Sequence, residues 1–211
     1  MRNLKEYVNE GLADWSDSDE FDKKISKQTT KAAIKKEIID WLKDNVKTIK
    51  KTNLKFDFST TPITVNYDGD IKFKEHITSL TNDIFQWGEV GGDFSCSFCK
   101  SLKTLEGAPK YVGKDFMCVN CISLETLEGA PKETGRHFNC QGCDSLKNLE
   151  GSSEKVGLDF YCQGCKSLKY LEGAPKEVAR DFYCFNCGNL FTKEDVKKVS
   201  DVKYKIICKQ W

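Results

Sequence analysis

Apolar positions recur at a fixed interval of 22 residues through the second half of the chain. Each unit carries a phenylalanine, two cysteines and a leucine at the same places, and the first four units carry a second leucine. Phe-x-Cys has the alternation of a β-strand, so both side chains are predicted to face the interior. A unit this short cannot bury its own apolar face, and the repeat therefore predicts a stack of coils. The phenylalanines are Phe94, Phe116, Phe138, Phe160 and Phe182, and the first leucines are Leu102, Leu124, Leu146, Leu168 and Leu190.

A tight turn is predicted after the second leucine of a unit. Leu105, Leu127, Leu149 and Leu171 are each followed by Glu-Gly. The glycine permits a positive φ, and the Ala-Pro that usually follows sets the next bend. Each unit thus predicts a strand, an inward cysteine, two inward leucines, a turn and a return leg. The predicted fold class is α+β: a right-handed solenoid of about five coils, with strands about 4.8 Å apart in a parallel sheet along one face.

A helix is predicted directly before the repeat region, in the segment TTKAAIKKEIIDWLKDN. Its spacing of apolar residues is helical, and Thr30 is a candidate N-cap. Such a helix suits the capping of a solenoid end. The apolar face consists of Ala33, Ile34, Ile38, Trp41 and Leu42.

Alternating strand patterns follow this helix, and Asp68-Gly69 is typical of a hairpin turn. The segment DIKFKEHITSL then reads as an imperfect first coil. Ile71 and Phe73 stand in for the phenylalanine and the first cysteine, and His76 stands in for the second. We therefore interpret His76 as structural.

The segment after the repeat also predicts a cap. Thr192 and Asp195 have the spacing of a capping box at the start of a short helix that carries Val196 and Val199. A closing strand should follow, with Cys208 packed inward. The predicted organisation is an amphipathic helix and acidic linker (1–26), an α/β cap (27–76), the solenoid (77–190) and a C-terminal cap (191–211).

Charge changes the picture only at the N-terminus, since the net charge of the whole chain is +1. Residues 1–26 have a net charge of −3 (four basic against seven acidic residues), and residues 27–56 have +6 (nine lysines against three acidic residues). A detachable helix in the first segment is a candidate for docking on a partner, and the alternative is a helix packed on the chain's own cap. The apolar face of that helix is formed by Leu4, Tyr7, Val8, Leu12 and Trp15.

Hydropathy and cysteine usage bear on the cellular location. No apolar run is long enough to span a membrane, and acidic residues interrupt the place where a secretory signal would lie. We therefore expect a reducing cytoplasm, in which the eleven cysteines are thiols or metal ligands rather than disulfides.

The Cys-x-x-Cys pairs allow three interpretations: packing residues, zinc ligands or disulfide partners. Their spacing lies within the range of zinc sites. However, five pairs cannot be divided evenly into four-cysteine sites, and the cysteines follow the same strict period as the packing residues. A buried thiol behaves as a small hydrophobe. We predict a structural ladder without metal or cofactor, formed by Cys96, Cys99, Cys118, Cys121, Cys140, Cys143, Cys162, Cys165, Cys184 and Cys187.

A row of acidic residues precedes the phenylalanines, at Asp93, Asp115, Asp159 and Asp181, with His137 in the one remaining place. Clustered oxygens are a possible cation site. We favour the alternative that these side chains accept backbone N–H groups at the turns.

The units resemble leucine-rich repeats, since Phe94-x-Cys96-x-x-Cys99 matches the Leu-x-Leu-x-x-Cys part of that pattern. They are also similar to the SLxxLEGAPKxVGxDFxCxxC repeats of uncharacterised bacteriophage proteins and some bacterial surface proteins, over residues 77–190. The first residues resemble the N-terminal leaders of tailed-phage proteins. The resemblance implies a repeat architecture and a phage origin, and it implies little about activity.

A non-enzymatic binding module is the function that the sequence favours. Outside the repeat there is no phosphate loop and no catalytic triad pattern. Residues on the outward face vary from coil to coil, and aromatic residues collect in the later coils. The expected partner is another protein, of the phage or of its host, with the chain in the host cytoplasm or the virion. We expect neither a membrane nor nucleic acid as the partner. The alternative function is a zinc-binding array of Cys-x-x-Cys pairs with a nucleic-acid or regulatory role. The predicted partner-binding face is Met117, Val119, Tyr161, Gln163, Tyr183 and Phe185.

Overall fold

A computed structural model describes residues 20–209, and the side chains from residue 30 to residue 209. It contains helices α1 (Glu20–Asn45) and α2 (Lys193–Val199) and a 3-10 turn at Lys51–Asn53. One sheet has eight strands: β1 (Leu54–Asp57), β2 (Ile63–Tyr67), β4 (Phe85–Val90), β6 (Tyr111–Val112), β8 (Glu133–Thr134), β10 (Lys155–Val156), β12 (Glu177–Val178) and β14 (Asp201–Val202). The other has seven: β3 (Ile71–Lys72), β5 (Phe94–Ser95), β7 (Phe116–Met117), β9 (Phe138–Asn139), β11 (Phe160–Tyr161), β13 (Phe182–Tyr183) and β15 (Ile206–Ile207).

The two sheets form a parallel β-solenoid of about seven turns. Each turn contributes one strand to each sheet, and the strands of successive turns pair in parallel, as Phe94 pairs with Phe116 and Phe116 with Phe138. The stack of coils and the parallel strands predicted from the repeat are therefore present. The number of coils is larger than the five predicted, because the segments before and after the strict repeat also form turns. The return leg of each unit is itself a strand, which creates the second sheet.

The imperfect first coil is present where it was predicted. Ile71 pairs with Phe94, and both Ile71 and Phe73 are buried at 0% and 1% exposure. His76 is exposed. The hairpin prediction for Asp68-Gly69 is wrong: β2 and β3 belong to different sheets, so these residues form a corner between the sheets. The antiparallel hairpin lies one step earlier, between β1 and β2.

The N-terminal end of the solenoid is covered by α1 and β1. Ile34, Ile38 and Leu42 of α1 are buried, as the helical pattern predicted, whereas Ala33 is exposed. The prediction of Thr30 as N-cap is wrong, because α1 already includes residues 20–29 ahead of it. Apolar periodicity marks only the part of a helix that contacts a core, and the charged first turns leave no such signal. The predicted helix face from Leu4 to Trp15 lies outside the described residues.

Rows of identical side chains fill the interior. Along the seven-stranded sheet the phenylalanine rings of neighbouring coils lie 4.9–5.7 Å apart between centroids from Phe94 to Phe182. Leu102, Leu124, Leu146 and Leu168 are buried as predicted. Leu190 is not: it is 87% exposed, and Phe191, at 6%, enters the core instead, because the chain leaves the repeat there to start α2.

The C-terminal cap begins as the sequence predicted. The Thr192 hydroxyl accepts from the Asp195 N–H while the Asp195 carboxylate accepts from the Thr192 N–H, which completes the capping box of α2. Val196 is buried, and Val199 is 36% exposed. Strands β14 and β15 are the last strands of their sheets in the described part of the chain. None of the helices within residues 20–209 has the length and apolar character that a membrane crossing requires.

Candidate functional site

The two cysteines of each pair have different roles in the solenoid. The first cysteine of each coil ends the inward face of a strand, and the second lies at the turn that follows. The thiol of the second cysteine reaches back and donates to the backbone carbonyl of the first cysteine in the preceding coil. This contact repeats four times, from Cys121 to Cys96 (3.1 Å), Cys143 to Cys118 (3.1 Å), Cys165 to Cys140 (3.2 Å) and Cys187 to Cys162 (3.2 Å).

The thiol supplies a donor to a carbonyl group buried at the turn; the Cys96 and Cys118 carbonyls also accept a backbone N–H of their own coil, from Cys99 at 3.3 Å and from Cys121 at 3.4 Å. The thiols are thus spaced one coil apart along a backbone ladder instead of converging on a point. Within residues 20–209, no group of three or more His, Cys, Asp or Glu side chains is placed to hold a metal ion. The cysteine rows act in packing and in hydrogen bonding to the turns.

The environment of the first cysteines opposes ionisation. The hydrogen bond with the Cys121 thiol, together with burial, raises the pKa of Cys96 well above its usual range. The pKa values of Cys118 and Cys140 are raised in the same way, by hydrogen bonds with Cys143 and Cys165 and by burial. For Cys162, burial is the larger cause of the raised pKa. Burial also raises the pKa of Cys99 to about 12. These thiols stay protonated at neutral pH and are poor nucleophiles.

The acidic row forms a second ladder, at the corner between the two sheets. Each carboxylate accepts the N–H of the equivalent residue in the next coil: Asp93 from Asp115 (3.1 Å), Asp115 from His137 (3.2 Å) and Asp159 from Asp181 (3.0 Å). The prediction that these side chains accept backbone N–H groups is confirmed.

His137 takes the carboxylate's place in this ladder. Its Nδ1 accepts the N–H of Asp159 at 3.2 Å. The same Nδ1 lies 3.3 Å from the Asp159 Oδ2, which would be an ion pair only with a protonated ring. Because the backbone contact repeats the geometry of the neighbouring coils, we assign Nδ1 as a hydrogen-bond acceptor.

The outward side of the seven-stranded sheet carries the predicted partner-binding residues. Tyr161 and Tyr183, on neighbouring strands, stack with ring centroids 4.7 Å apart and an interplanar angle of 16°. His137 extends the row, with its ring 5.8 Å from that of Tyr161. Met117, Val119 and Phe185 are half-buried along the same side of the solenoid. The predicted residues lie along one side of the solenoid, on the coils of β7, β11 and β13, and the coil of β9 separates Met117 and Val119 from the others. The two tyrosine rings, on adjacent coils, are in contact.

The tyrosine rings are fixed by carboxylates of their own coils. The Tyr161 hydroxyl donates to Asp159 Oδ2 at 2.8 Å, and the Tyr183 hydroxyl donates to Asp181 Oδ2 at 3.2 Å. Burial, the hydrogen bond and the negative charge of Asp159 all raise the pKa of Tyr161. Both phenols are neutral near pH 7, and their rings cannot rotate away without giving up these bonds.

Asp159 is the most buried member of this cluster, with a side chain that is 0% exposed. Besides the Tyr161 hydroxyl and the Asp181 N–H, it contacts Arg180 Nε at 2.8 Å. A buried carboxylate needs such a full set of donors to remain ionised without a large free-energy cost. The geometry makes Asp159 a structural anchor that holds Tyr161 and Arg180 at the surface.

Gln163 departs from the expectation of an outward contact residue, since it is only 8% exposed. Its Nε2 donates to Gln141 Oε1 at 3.0 Å, in the same row of the preceding coil. Its own Oε1 has no hydrogen-bond partner among the described residues. Gln141, which is exposed, presents this row to the surface more than Gln163 does.

Sequence reasoning missed an exposed aromatic residue at the other end of this face. Phe98 is 47% exposed and has a φ of +65°. The same position in later coils is held by Asn120, Gly142, Gly164 and Asn186, also with positive φ. A phenylalanine in a row otherwise made of asparagine and glycine was the signal available in the sequence.

Comparison with known proteins identifies no relative. No protein-family model, no curated protein and no solved structure matches the chain.

Proposed function

We propose that this chain is a non-enzymatic protein–protein interaction module that binds its partner through the outward side of the seven-stranded sheet. The stacked pair of Tyr161 and Tyr183 is the observation that carries the proposal. Aromatic residues dominate the free energy of many interfaces, and rings already held in place lose little conformational entropy on binding. The other residues of the proposed face are Gln163 and Phe185, on the coils of the pair, and Met117 and Val119, on the coil of β7.

The origin and the setting belong to the same proposal. The 22-residue units resemble leucine-rich repeats and the repeats of bacteriophage proteins. We therefore propose a phage protein whose partner is a phage or host protein, met in the infected cell's cytoplasm or in the virion. The solenoid supports this use, because a rigid stack of coils offers an extended surface on which single residues vary without disturbing the core.

The first test places a photo-crosslinking phenylalanine analogue at position 183, and separately at position 111, in the cell that produces the protein. Tyr111 is a matched control because it also points outward, at 40% exposure, but from the eight-stranded sheet. We expect a discrete crosslinked protein from position 183 and none from position 111. Equal crosslinking at both positions would contradict a face-specific interaction.

The second test uses the partner so identified. Tyr183→Ala should weaken its binding by on the order of tenfold to a hundredfold, the range of an interface hot spot, and Tyr111→Ala should leave the Kd unchanged. A Kd insensitive to Tyr183→Ala would move the interface elsewhere. The zinc alternative is tested by elemental analysis of the purified, reduced protein: the hydrogen-bonded thiol ladder predicts negligible zinc, and about two zinc ions per chain would favour the alternative.

A further inference from the structure

Cys208 extends the row of first cysteines, although it lies outside the 22-residue period. It is 24 residues after Cys184, and yet β13 and β15 pair Phe182 with Ile206 and Tyr183 with Ile207. The Cys184 N–H donates to the Ile207 carbonyl at 3.0 Å, which continues that register. The two additional residues are taken up in the segment that contains α2. Cys184 and Cys208 are therefore neighbours in the ladder.

The contact between these two thiols differs from that of the preceding coils. Cys140 and Cys162 direct their thiols to the carbonyls of Tyr161 and Tyr183, each at 3.3 Å. The Cys184 Sγ instead lies 3.3 Å from the Cys208 Sγ. Thiols of other coils also interact across coils, as Cys121 does with Cys96, but there the thiol donates to a backbone carbonyl, whereas Cys184 is directed at a sulfur atom.

The backbone geometry suits a covalent bond at this place. Equivalent residues of neighbouring parallel strands are about 4.8 Å apart, which falls within the Cα separation that disulfides span. Side chains at equivalent positions of a parallel pair also point the same way, so no strand needs to turn. Only the two sulfur atoms have to approach each other further.

Access to the two thiols is unequal. Cys184 is 1% exposed, whereas Cys208, directly after β15, is half-buried. Burial raises the pKa of both thiols. Because Cys208 is the more exposed of the two thiols, a small oxidant reacts with it first. Cys184 lies next to Cys208 and can then attack the sulfur of the oxidised Cys208.

We propose that Cys184 and Cys208 are a redox pair that forms a disulfide with low-molecular-weight disulfides such as glutathione disulfide. The Cys208 thiolate attacks one sulfur of glutathione disulfide, which forms a mixed disulfide and releases one glutathione thiolate. The Cys184 thiolate then attacks the Cys208 sulfur and releases the second glutathione. The protein loses two electrons and two protons, and both appear in the two reduced glutathione molecules.

The bond would fasten the last coil to the one before it. It links β15 to β13 and closes a loop that holds α2 and β14. Within residues 20–209 the coil of β14 and β15 has a neighbouring coil on one side only, so it is prone to open. A cross-link removes conformations from the opened state and slows that opening. In a reducing cytoplasm both cysteines remain thiols, and in an oxidising environment the disulfide would hold the coil of β15 against the coil of β13.

The experiment equilibrates the full, reduced chain with graded ratios of oxidised to reduced glutathione. We expect the mass to fall by two hydrogen atoms, with a peptide map linking Cys184 to Cys208 and the eight other buried cysteines alkylated only after unfolding. Hydrogen exchange of the amides in β15 should slow by on the order of tenfold or more in the oxidised protein.

The variants separate this pair from general cysteine oxidation. Cys208→Ser should abolish the mass loss, and Cys187→Ser, which removes a half-buried thiol of the same coil, should leave it unchanged. A stable glutathione adduct on Cys208 would overturn the proposal, because it would show that Cys184 does not reach it. A link from Cys208 to any other cysteine, or no oxidation at all, would overturn it too.

Discussion

Replacing Gly151 with alanine should destabilise the solenoid for two separate reasons. Gly151 has a φ of +84°, a conformation that costs an alanine about 1–2 kcal/mol. In addition, a Cβ built there would lie 2.3 Å from the Glu128 N and 2.5 Å from the Glu128 Cα, in the turn of the preceding coil. Backbone atoms cannot rotate away from such a contact as a side chain can, so the coils must separate locally.

That separation acts on the hydrogen bond from the Leu127 N–H to the Glu150 carbonyl, which is 3.1 Å long and joins the same two turns. Overpacking of this kind costs about 1–3 kcal/mol, and a weakened backbone hydrogen bond adds about 1 kcal/mol. Together with the cost of φ, we expect Gly151→Ala to lower the free energy of unfolding by about 3–6 kcal/mol, a large share of the total stability of an ordinary domain.

Gly164 provides a matched control. Its φ is +74°, close to that of Gly151, but its Cβ would meet nothing nearer than the Gly142 N at 3.8 Å. Asn120 and Asn186 hold the same place in other coils with a φ of +55°, so the backbone there accepts a side chain. Gly164→Ala should therefore cost only the conformational part, about 1–2 kcal/mol. Urea unfolding of both variants measures the difference, and equal losses of stability would refute the close packing of the turns as its cause.

Three further predictions follow from buried polar groups. Thr134 is 3% exposed in a row otherwise made of valines, and its hydroxyl has no hydrogen-bond partner among the described residues. Thr134→Val should therefore raise the free energy of unfolding, measured with urea, by about 1–2 kcal/mol. A loss of stability would show that the hydroxyl has a partner. Arg180→Met removes a donor from the fully buried Asp159 and should lower the free energy of unfolding by about 2 kcal/mol in the same measurement. Arg136 lies 3.6 Å from Asp115, a carboxylate that is partly exposed, so Arg136→Met should lower it by less than about 1 kcal/mol. The pKa of Cys118, Cys140 and Cys184 is raised above the ordinary value of 9.0, so the unfolded chain loses these protons first, and this contribution to stability should be complete below about pH 9 and fall as the pH rises above it. At Cys96 and Cys162 the lowered pKa of the partner thiols, Cys121 and Cys187, offsets the same effect. A urea midpoint that stays constant from pH 8 to 10 under reducing conditions would contradict this prediction.

The sequence predicted which residues of the candidate site lie on the outward face, but not the contacts between them. The alternation of Phe and Cys placed Tyr161 and Tyr183 on one outward row, and the structure has them stacked. The hydrogen bonds that fix their rings to Asp159 and Asp181 were not foreseen. They depend on how sharply the chain turns between the acidic row and the strand, which spacing along the chain does not encode.

The repeat itself determined the interior of this protein. A 22-residue unit with fixed apolar positions can bury them only against copies of itself, so the stack, its parallel strands and its rows of phenylalanine, leucine and cysteine followed from the pattern. Only the tertiary structure showed where the chain departs from the 22-residue pattern. Asp68-Gly69 became a corner because the next strand had a second sheet to join, and Leu190 became exposed because α2 took over the turn. Cys208 entered the ladder for a similar reason, since the pairing of β15 with β13 outweighed two extra residues of chain. Burial periodicity is a local property that each unit carries, whereas corners, ends and register are fixed only when the coils meet.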